Sequence, residues 1–190
     1  MKKYIFLIFL SIYISSSFAH PHIFIDADLT FVTYSDSLKF LEIQWKWDKW
    51  FSVEILDYCD INKNGQLEPD EVKKVYEDFF IGVKEFYFFT QIEINNKKLK
   101  INDVTHFNAN TSKNSSGDTI VIYNFTVPVN KKIENNLLNF KIIKYDETIF
   151  TAFENAKLII KSDNFKLTEI KNISYKFCGK QLSGKIINKE

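Results

Sequence analysis

Twelve consecutive residues, Asp60-Ile61-Asn62-Lys63-Asn64-Gly65-Gln66-Leu67-Glu68-Pro69-Asp70-Glu71, carry oxygen donors at the spacing a calcium ion requires. A large hard cation takes six to eight oxygens, and the EF-hand loop supplies them from positions 1, 3, 5, 7, 9 and 12. Here those positions are Asp60, Asn62, Asn64, the Gln66 backbone carbonyl, Glu68 and Glu71, with Gly65 at the sharp turn of position 6. Asn in place of Asp at positions 3 and 5 removes negative charge. Binding is therefore expected in the ~10⁻⁴ to 10⁻³ M class of extracellular modules. No second loop of this spelling occurs, so the expected role is a structural clip rather than a paired sensor; a metal-free Asn-rich turn is the plainer alternative.

A second group of donors stands at His20-Pro21-His22, which holds two of the three histidines in the chain. If residues 1–19 are removed, the new amine and the His20 ring can chelate one ion, and extended geometry puts His22 on the same face. Pro21 has no amide hydrogen, which excludes a square-planar site built on deprotonated amides. What remains is an open site for zinc, copper, nickel or cobalt, completed by His106, a carboxylate or water. Asp26 and Asp28 share the His22 face, but Asp26 lies roughly 13 Å along a straight strand, too far to share an ion. They are expected to orient ligands or to form a second weak site. The alternative is a terminus whose histidines are accidental.

Cleavage there is predicted from the start of the chain. Lys2 and Lys3 precede an apolar run from Tyr4 to Ile14, and Ser17 and Ala19 place small residues before a cut after Ala19. This is the pattern of a secretory signal peptide. The run is too short to span a bilayer and no later segment is long enough, so a soluble exported domain of residues 20–190 is expected, in the periplasm of a Gram-negative bacterium. Its charge is about minus one, with no arginine and no basic patch to invite nucleic acid. In an oxidising compartment Cys59 and Cys178 either form one disulfide or stay as separate buried thiols.

The elements that must position these groups follow from periodicity. Phe51, Ile55, Tyr58 and Cys59 before the loop, and Val72, Val75, Tyr76, Phe79, Phe80 and Val83 after it, repeat as helices do. Elsewhere the pattern alternates. Strands are predicted over Ile23–Phe31 and Leu41–Trp47, joined as a hairpin, then over 86–94, 99–101, 105–109, 119–127, 136–145, 156–161 and 172–177. The fold class is mainly β (α+β), a β-sandwich with a helix-loop-helix inserted at about 48–86. Asn110–Asp118 is predicted to be a mobile loop, and Lys185–Glu190 a frayed end.

His-Pro-His at the cut, Ile23-Phe24-Ile25-Asp26-Ala27, Trp45-Lys46-Trp47-Asp48-Lys49-Trp50-Phe51-Ser52, the Asp60 loop and Tyr145-Asp146-Glu147 occur in the order found in domain of unknown function 1007, which the chain resembles over nearly its whole mature length. The resemblance implies a periplasmic component of a transport system that works beside an inner-membrane permease of the nickel, cobalt or zinc type. His20 and His22 are the ligands it implies, with zinc favoured; His106 matches no motif of the family.

Two other classes compete with a metal-binding accessory. A terminal amine with two imidazoles resembles the histidine brace of copper oxygenases, in which His106 would supply the distant ring. A calcium-dependent interaction module would use Trp45, Trp47 and Trp50 as a surface, although their alternation on a strand favours core packing. No phosphate loop, Ser-His-Asp set or Cys-x-x-Cys is present, and no enzymatic activity is expected.

Overall fold

Alternation builds the first strands. In β1 (Ile23–Tyr34) Ile25, Ala27, Leu29 and Phe31 are buried while Asp26, Asp28 and Thr30 face outward, and in β2 (Ser37–Trp47) Leu41, Ile43, Trp45 and Trp47 do the same. The structure, a computed structural model, describes residues 21–189, so the leader 1–19, His20 and Glu190 lie outside the described residues. After β2 come helix α1 (Lys49–Cys59) and helix α2 (Pro69–Val75), then strands β3 (Thr90–Ile94), β4 (Lys97–Leu99), β5 (Thr105–Lys113), β6 (Thr119–Lys132), β7 (Leu137–Lys144), β8 (Thr151–Lys161), β9 (Phe165–Tyr175) and β10 (Gly179–Asn188).

They form two five-stranded sheets, ordered β5-β6-β2-β1-β8 and β4-β3-β7-β10-β9. All pairs are antiparallel except β1 with β8, where Ile25 lies beside Phe153 and Leu29 beside Leu158. The inner faces meet through aromatic rings. Phe31 on β1 and Phe140 on β7 are 4.7 Å apart between centroids, while within the first sheet the Trp45 indole meets Phe125 edge-on at 4.9 Å. Among the described residues no helix is long and apolar enough to cross a membrane.

The helical segment stands where the second sheet gives out, over β5 and β6. Phe80 contacts Phe107 at 4.3 Å and Phe125 at 5.1 Å, and Tyr76 reaches Phe107 at 5.3 Å. Beyond Val75 the helix widens into a π turn (Tyr76–Phe80) and tightens into 3₁₀ turns (Ile81–Phe89). The strand predicted from Phe86 starts only at Thr90. Tyr87, Phe88 and Phe89 take left-handed backbone angles, which turn the chain sharply and drive Phe88 and Phe89 into the core. Core burial overrides the alternation there.

Two other expectations change. Asn110–Lys113 belongs to β5, and the remainder is a tight turn in which the Asn114 side-chain oxygen accepts from the Ser116 and Asp118 N–H groups at 2.9 Å each. The tail is ordered as well: Lys185–Asn188 lies in β10, a central strand paired with β7 and β9. Its signal was weak because Gly184 interrupts the pattern. A Cβ there would come within 2.9 Å of the Thr168 carbonyl and 3.0 Å of the Phe140 ring, so close strand packing demands glycine. Cys59 and Cys178 are both buried as free thiols.

Candidate cation-binding loop

The loop hangs between two capped helices. Asp48 begins α1: its Oδ1 accepts from the Trp50 and Phe51 N–H groups at 2.8 and 3.0 Å, and its Oδ2 accepts from the Phe24 N–H at 2.7 Å, which ties the helix to β1. Inside α1, the buried Ser52 hydroxyl accepts from the Val121 N–H at 2.9 Å and so fixes the helix on β6. Glu68 begins α2 with Pro69 behind it, and the Glu68 and Glu71 side chains form a reciprocal capping box.

Between those anchors the polar side chains turn inward. Asp60 is buried, its Oδ2 accepting from the Gly65 N–H at 2.8 Å and its Oδ1 from the Asn64 N–H at 3.2 Å. Glu71, 4% exposed, reaches back from the far end of the loop: Oε1 accepts from Ile61 N–H at 2.7 Å and Asn62 N–H at 3.3 Å, while Oε2 accepts from Glu68 N–H at 2.9 Å. Gly65 has φ +79°, a left-handed angle that strains any residue with a Cβ. Its carbonyl accepts from the Thr111 hydroxyl on β5 at 2.9 Å. The loop is thereby fastened to the first sheet.

Asn62 and Asn64 use both ends of their amides. Their oxygens accept from the Asn64 and Gln66 N–H groups at 3.0 and 2.7 Å, and their nitrogens donate to the Glu68 carboxylate at 3.1 and 2.6 Å. Hydrogen bonding from Glu68, first through its side chain and then through its backbone N–H, lowers the Glu71 carboxyl to about 2, helped by the Ile61 and Asn62 N–H groups and opposed by burial. Glu71 is therefore a carboxylate throughout the physiological range.

The donor set suits a calcium ion in kind. It offers oxygen only, with two buried carboxylates at opposite ends of the loop and a third at Glu68. Among the described residues no three His, Cys, Asp or Glu side chains gather at one point. A cation here would have to complete its shell from the Asn62 and Asn64 amide oxygens and the Gln66 carbonyl.

The histidine expectation divides. His20 lies outside the described residues. His22 is exposed, its N–H donating to the Phe150 carbonyl at 2.9 Å and its ring 5.3 Å from the Phe150 ring. His106 sits on a bulge of β5 with φ 54°, its Nδ1 3.0 Å from the Thr105 hydroxyl. Register places it level with Asp28 to Thr30, three strands from β1. That is ~14 Å across the sheet and ~20 Å along it from His22. His106 therefore cannot complete a site at His22, and it cannot serve as the second ring of a copper brace there.

The nearby acids are also committed elsewhere. Asp26 accepts from the Asn155 backbone and side-chain amides at 3.1 and 2.8 Å, and Asp28 pairs with Lys46 at 2.5 Å. The tryptophans split as well: Trp45 and Trp47 are core residues, whereas Trp50 is 78% exposed, so the three form no common surface.

Lys144 and Asp146 are among the buried polar residues whose burial sequence reasoning did not place. Lys144 follows Leu138, Phe140 and Ile142 on the inward positions of β7, so the alternation itself points it into the core. Asp146 accepts from the Thr148 N–H and hydroxyl at 2.8 and 2.7 Å and from the Thr151 N–H at 2.9 Å, pinning the turn that leads into β8. Asp followed two residues later by Thr is the spelling of such a turn.

Residues 5–171 match the model of a protein family described as a protein of unknown function, DUF1007. Over 97 residues, 51% of the chain, the sequence is 29% identical to an uncharacterized 15.5 kDa protein in the trpE 3' region of Spirochaeta aurantia; the match covers 64% of that relative's length.

Proposed function

The chain belongs to the DUF1007 family, whose description carries no activity, and from its own residues we propose that it is an exported metal-binding protein with two cation sites. In the first, an EF-hand loop, Asp60, Asn62, Asn64, the Gln66 carbonyl, Glu68 and Glu71 hold calcium, which braces the helical insert against the first sheet. In the second, the amine and ring of His20 with the ring of His22 hold a transition metal, zinc before copper, nickel or cobalt, at the start of the secreted chain. The role that the family resemblance implies for such a protein is a periplasmic accessory of an inner-membrane metal permease.

The observation that carries the calcium reading is the return of Glu71 across the loop. Its carboxylate reaches the N–H groups of Ile61 and Asn62, the two residues that follow buried Asp60, so the last acid of the loop returns to the segment that carries the first.

Thermal unfolding of metal-stripped protein, titrated with calcium to several millimolar, tests this site. The melting temperature rises with calcium, and Asp60→Asn abolishes the rise. An unchanged melting temperature over that range removes calcium from the proposal. For the second site, native mass spectrometry against zinc, copper, nickel and cobalt compares the secreted protein with a form carrying one additional Ala before His20. Equal affinity in the two forms rules out the amine as a ligand.

A further inference from the structure

Where the helical insert returns to β3, three consecutive aromatic residues hold left-handed backbone angles: Tyr87, Phe88 and Phe89, with φ of 53°, 51° and 47°. The Cβ of such a residue crowds the following carbonyl, a strain that only glycine escapes. Strain of this kind persists only where the surroundings enforce it, and it gathers at switch regions.

What enforces it here is the end of β7 together with the core. The Thr90 hydroxyl donates to the Phe88 carbonyl at 2.6 Å, the Lys144 amine donates to that hydroxyl at 2.5 Å and lies 3.5 Å from the same carbonyl, and the Tyr145 N–H donates to the Phe89 carbonyl at 3.1 Å. Phe88 and Phe89 are buried, with the Phe89 ring stacked on Trp45 at 5.9 Å, while Phe86 and Tyr87 stay exposed. Two adjacent residues of one strand thus clasp the turn.

Lys144 is the member of that clasp that can change charge. Its neighbours are ill suited to an ammonium. Trp45 on β2 and Phe153 on β8 present rings 4.7 and 5.1 Å from the amine, an attraction that falls short of the cost of taking a charge out of water. On β3 it meets the uncharged Thr90. From β10 come Lys180, its register partner and a like charge, and before that strand the buried thiol of Cys178. Asp146, next along β7 after the phenol of Tyr145, gives its oxygens to Thr148 and Thr151, and Glu85 ahead of the turn is exposed.

The elements around the amine differ in how readily they yield. Trp45 stands on a strand paired on both sides, and Phe153 stands on one paired with β1 along its whole length. The turn has no strand ladder and is already strained, so it gives way first. We propose that Tyr87–Phe89 is a sprung hinge latched by Lys144: when the amine takes up a proton the turn opens, water reaches the ammonium, and the helical insert loosens from the second sheet. This device goes beyond the proposed metal binding and needs no bound ion.

The sign follows from burial, which holds the amine well below its ordinary 10.5. The closed turn carries no proton there and the open turn does, so opening gains about tenfold for each pH unit below 10.5 until the buried amine itself charges.

Hydrogen exchange of the metal-stripped mature protein between pH 9 and pH 6, corrected for intrinsic rates, tests the hinge. As pH falls, exchange rises at residues 81–90 before it rises in β1 and β2. Lys144→Met removes that pH dependence and leaves β1 and β2 protected. Tyr87→Gly, at an exposed side chain, relieves one left-handed residue and lowers opening about threefold at every pH. Circular dichroism confirms that each variant keeps its fold.

Three results overturn the proposal: exchange that rises equally in the turn and in β1 and β2, a pH dependence at the turn that survives Lys144→Met, and an opening that Tyr87→Gly leaves unchanged or increases. The last of these stands even if Lys144→Met fails to fold. Because metal is absent throughout, failure here leaves the cation sites untouched.

Discussion

The Lys144 amine lies 4.7 Å from the centroid of the Trp45 indole, wholly buried between the sheets. It donates to the Thr90 hydroxyl at 2.5 Å, and among the described residues no carboxylate pairs with it. Burial pushes its pKa well below 10.5. The unfolded chain then binds a proton that the folded chain does not, so stability rises with pH between the depressed value and 10.5. Lys144→Met should stabilise the protein by roughly 1–3 kcal/mol at neutral pH and flatten that slope. Urea unfolding at pH 7 and pH 9.5 measures both; a destabilised variant would show that the bond to Thr90 and the contact with Trp45 outweigh the cost of burying the amine.

Glu71 has the opposite sign. Its carboxyl falls to about 2 in the fold from an ordinary 4.5, so its contribution is complete above about 4.5 and is lost as pH drops through 2. Without calcium, Glu71→Gln should reduce stability at pH 6 and remove much of the dependence between pH 5 and pH 3. Parallel unfolding curves of the two proteins across that range would contradict the hydrogen-bond network described for the loop.

Asp48 joins helix to sheet through three N–H groups, those of Trp50, Phe51 and Phe24. Asp48→Ala should cost about 1–3 kcal/mol, more than loss of an isolated cap, since the start of β1 loses a bond as well. Hydrogen exchange checks the mechanism. Protection should fall at Phe24 together with Trp50 and Phe51.

Tyr123 is buried with no partner for its hydroxyl among the described residues, and burial raises its pKa far above 10. Its ring does the packing, against Trp47 at 5.2 Å and Phe107 at 5.3 Å. Tyr123→Phe should therefore be neutral or stabilising by up to about 1 kcal/mol, and Tyr123→Ala should cost roughly 3–5 kcal/mol. Denaturant midpoints at equal m-value decide both.

Much of the sandwich was legible because burial on one face imposes period two, which β1 and β2 display plainly from Ile25 to Phe31 and from Leu41 to Trp47. The twelve-residue loop was legible for a different reason. A left-handed turn and carboxylates that accept the loop's own N–H groups each restrict the residue at a fixed position, so Asp60, Gly65 and Glu71 reveal themselves locally. Lys144 could have been placed in the core from its phase in β7, but a charged side chain masks an apolar pattern.

What the sequence alone determined were the features set by neighbours along the chain: strand faces, helix starts and the order of donors in the loop. Only the tertiary structure decided which distant groups meet. It set His106 three strands from the start of β1, gave Asp26 and Asp28 to Asn155 and Lys46, and closed Gly65 onto Thr111. Spacing along a strand is fixed by covalent geometry, whereas distance across a sheet depends on strand order, and no local pattern records that order.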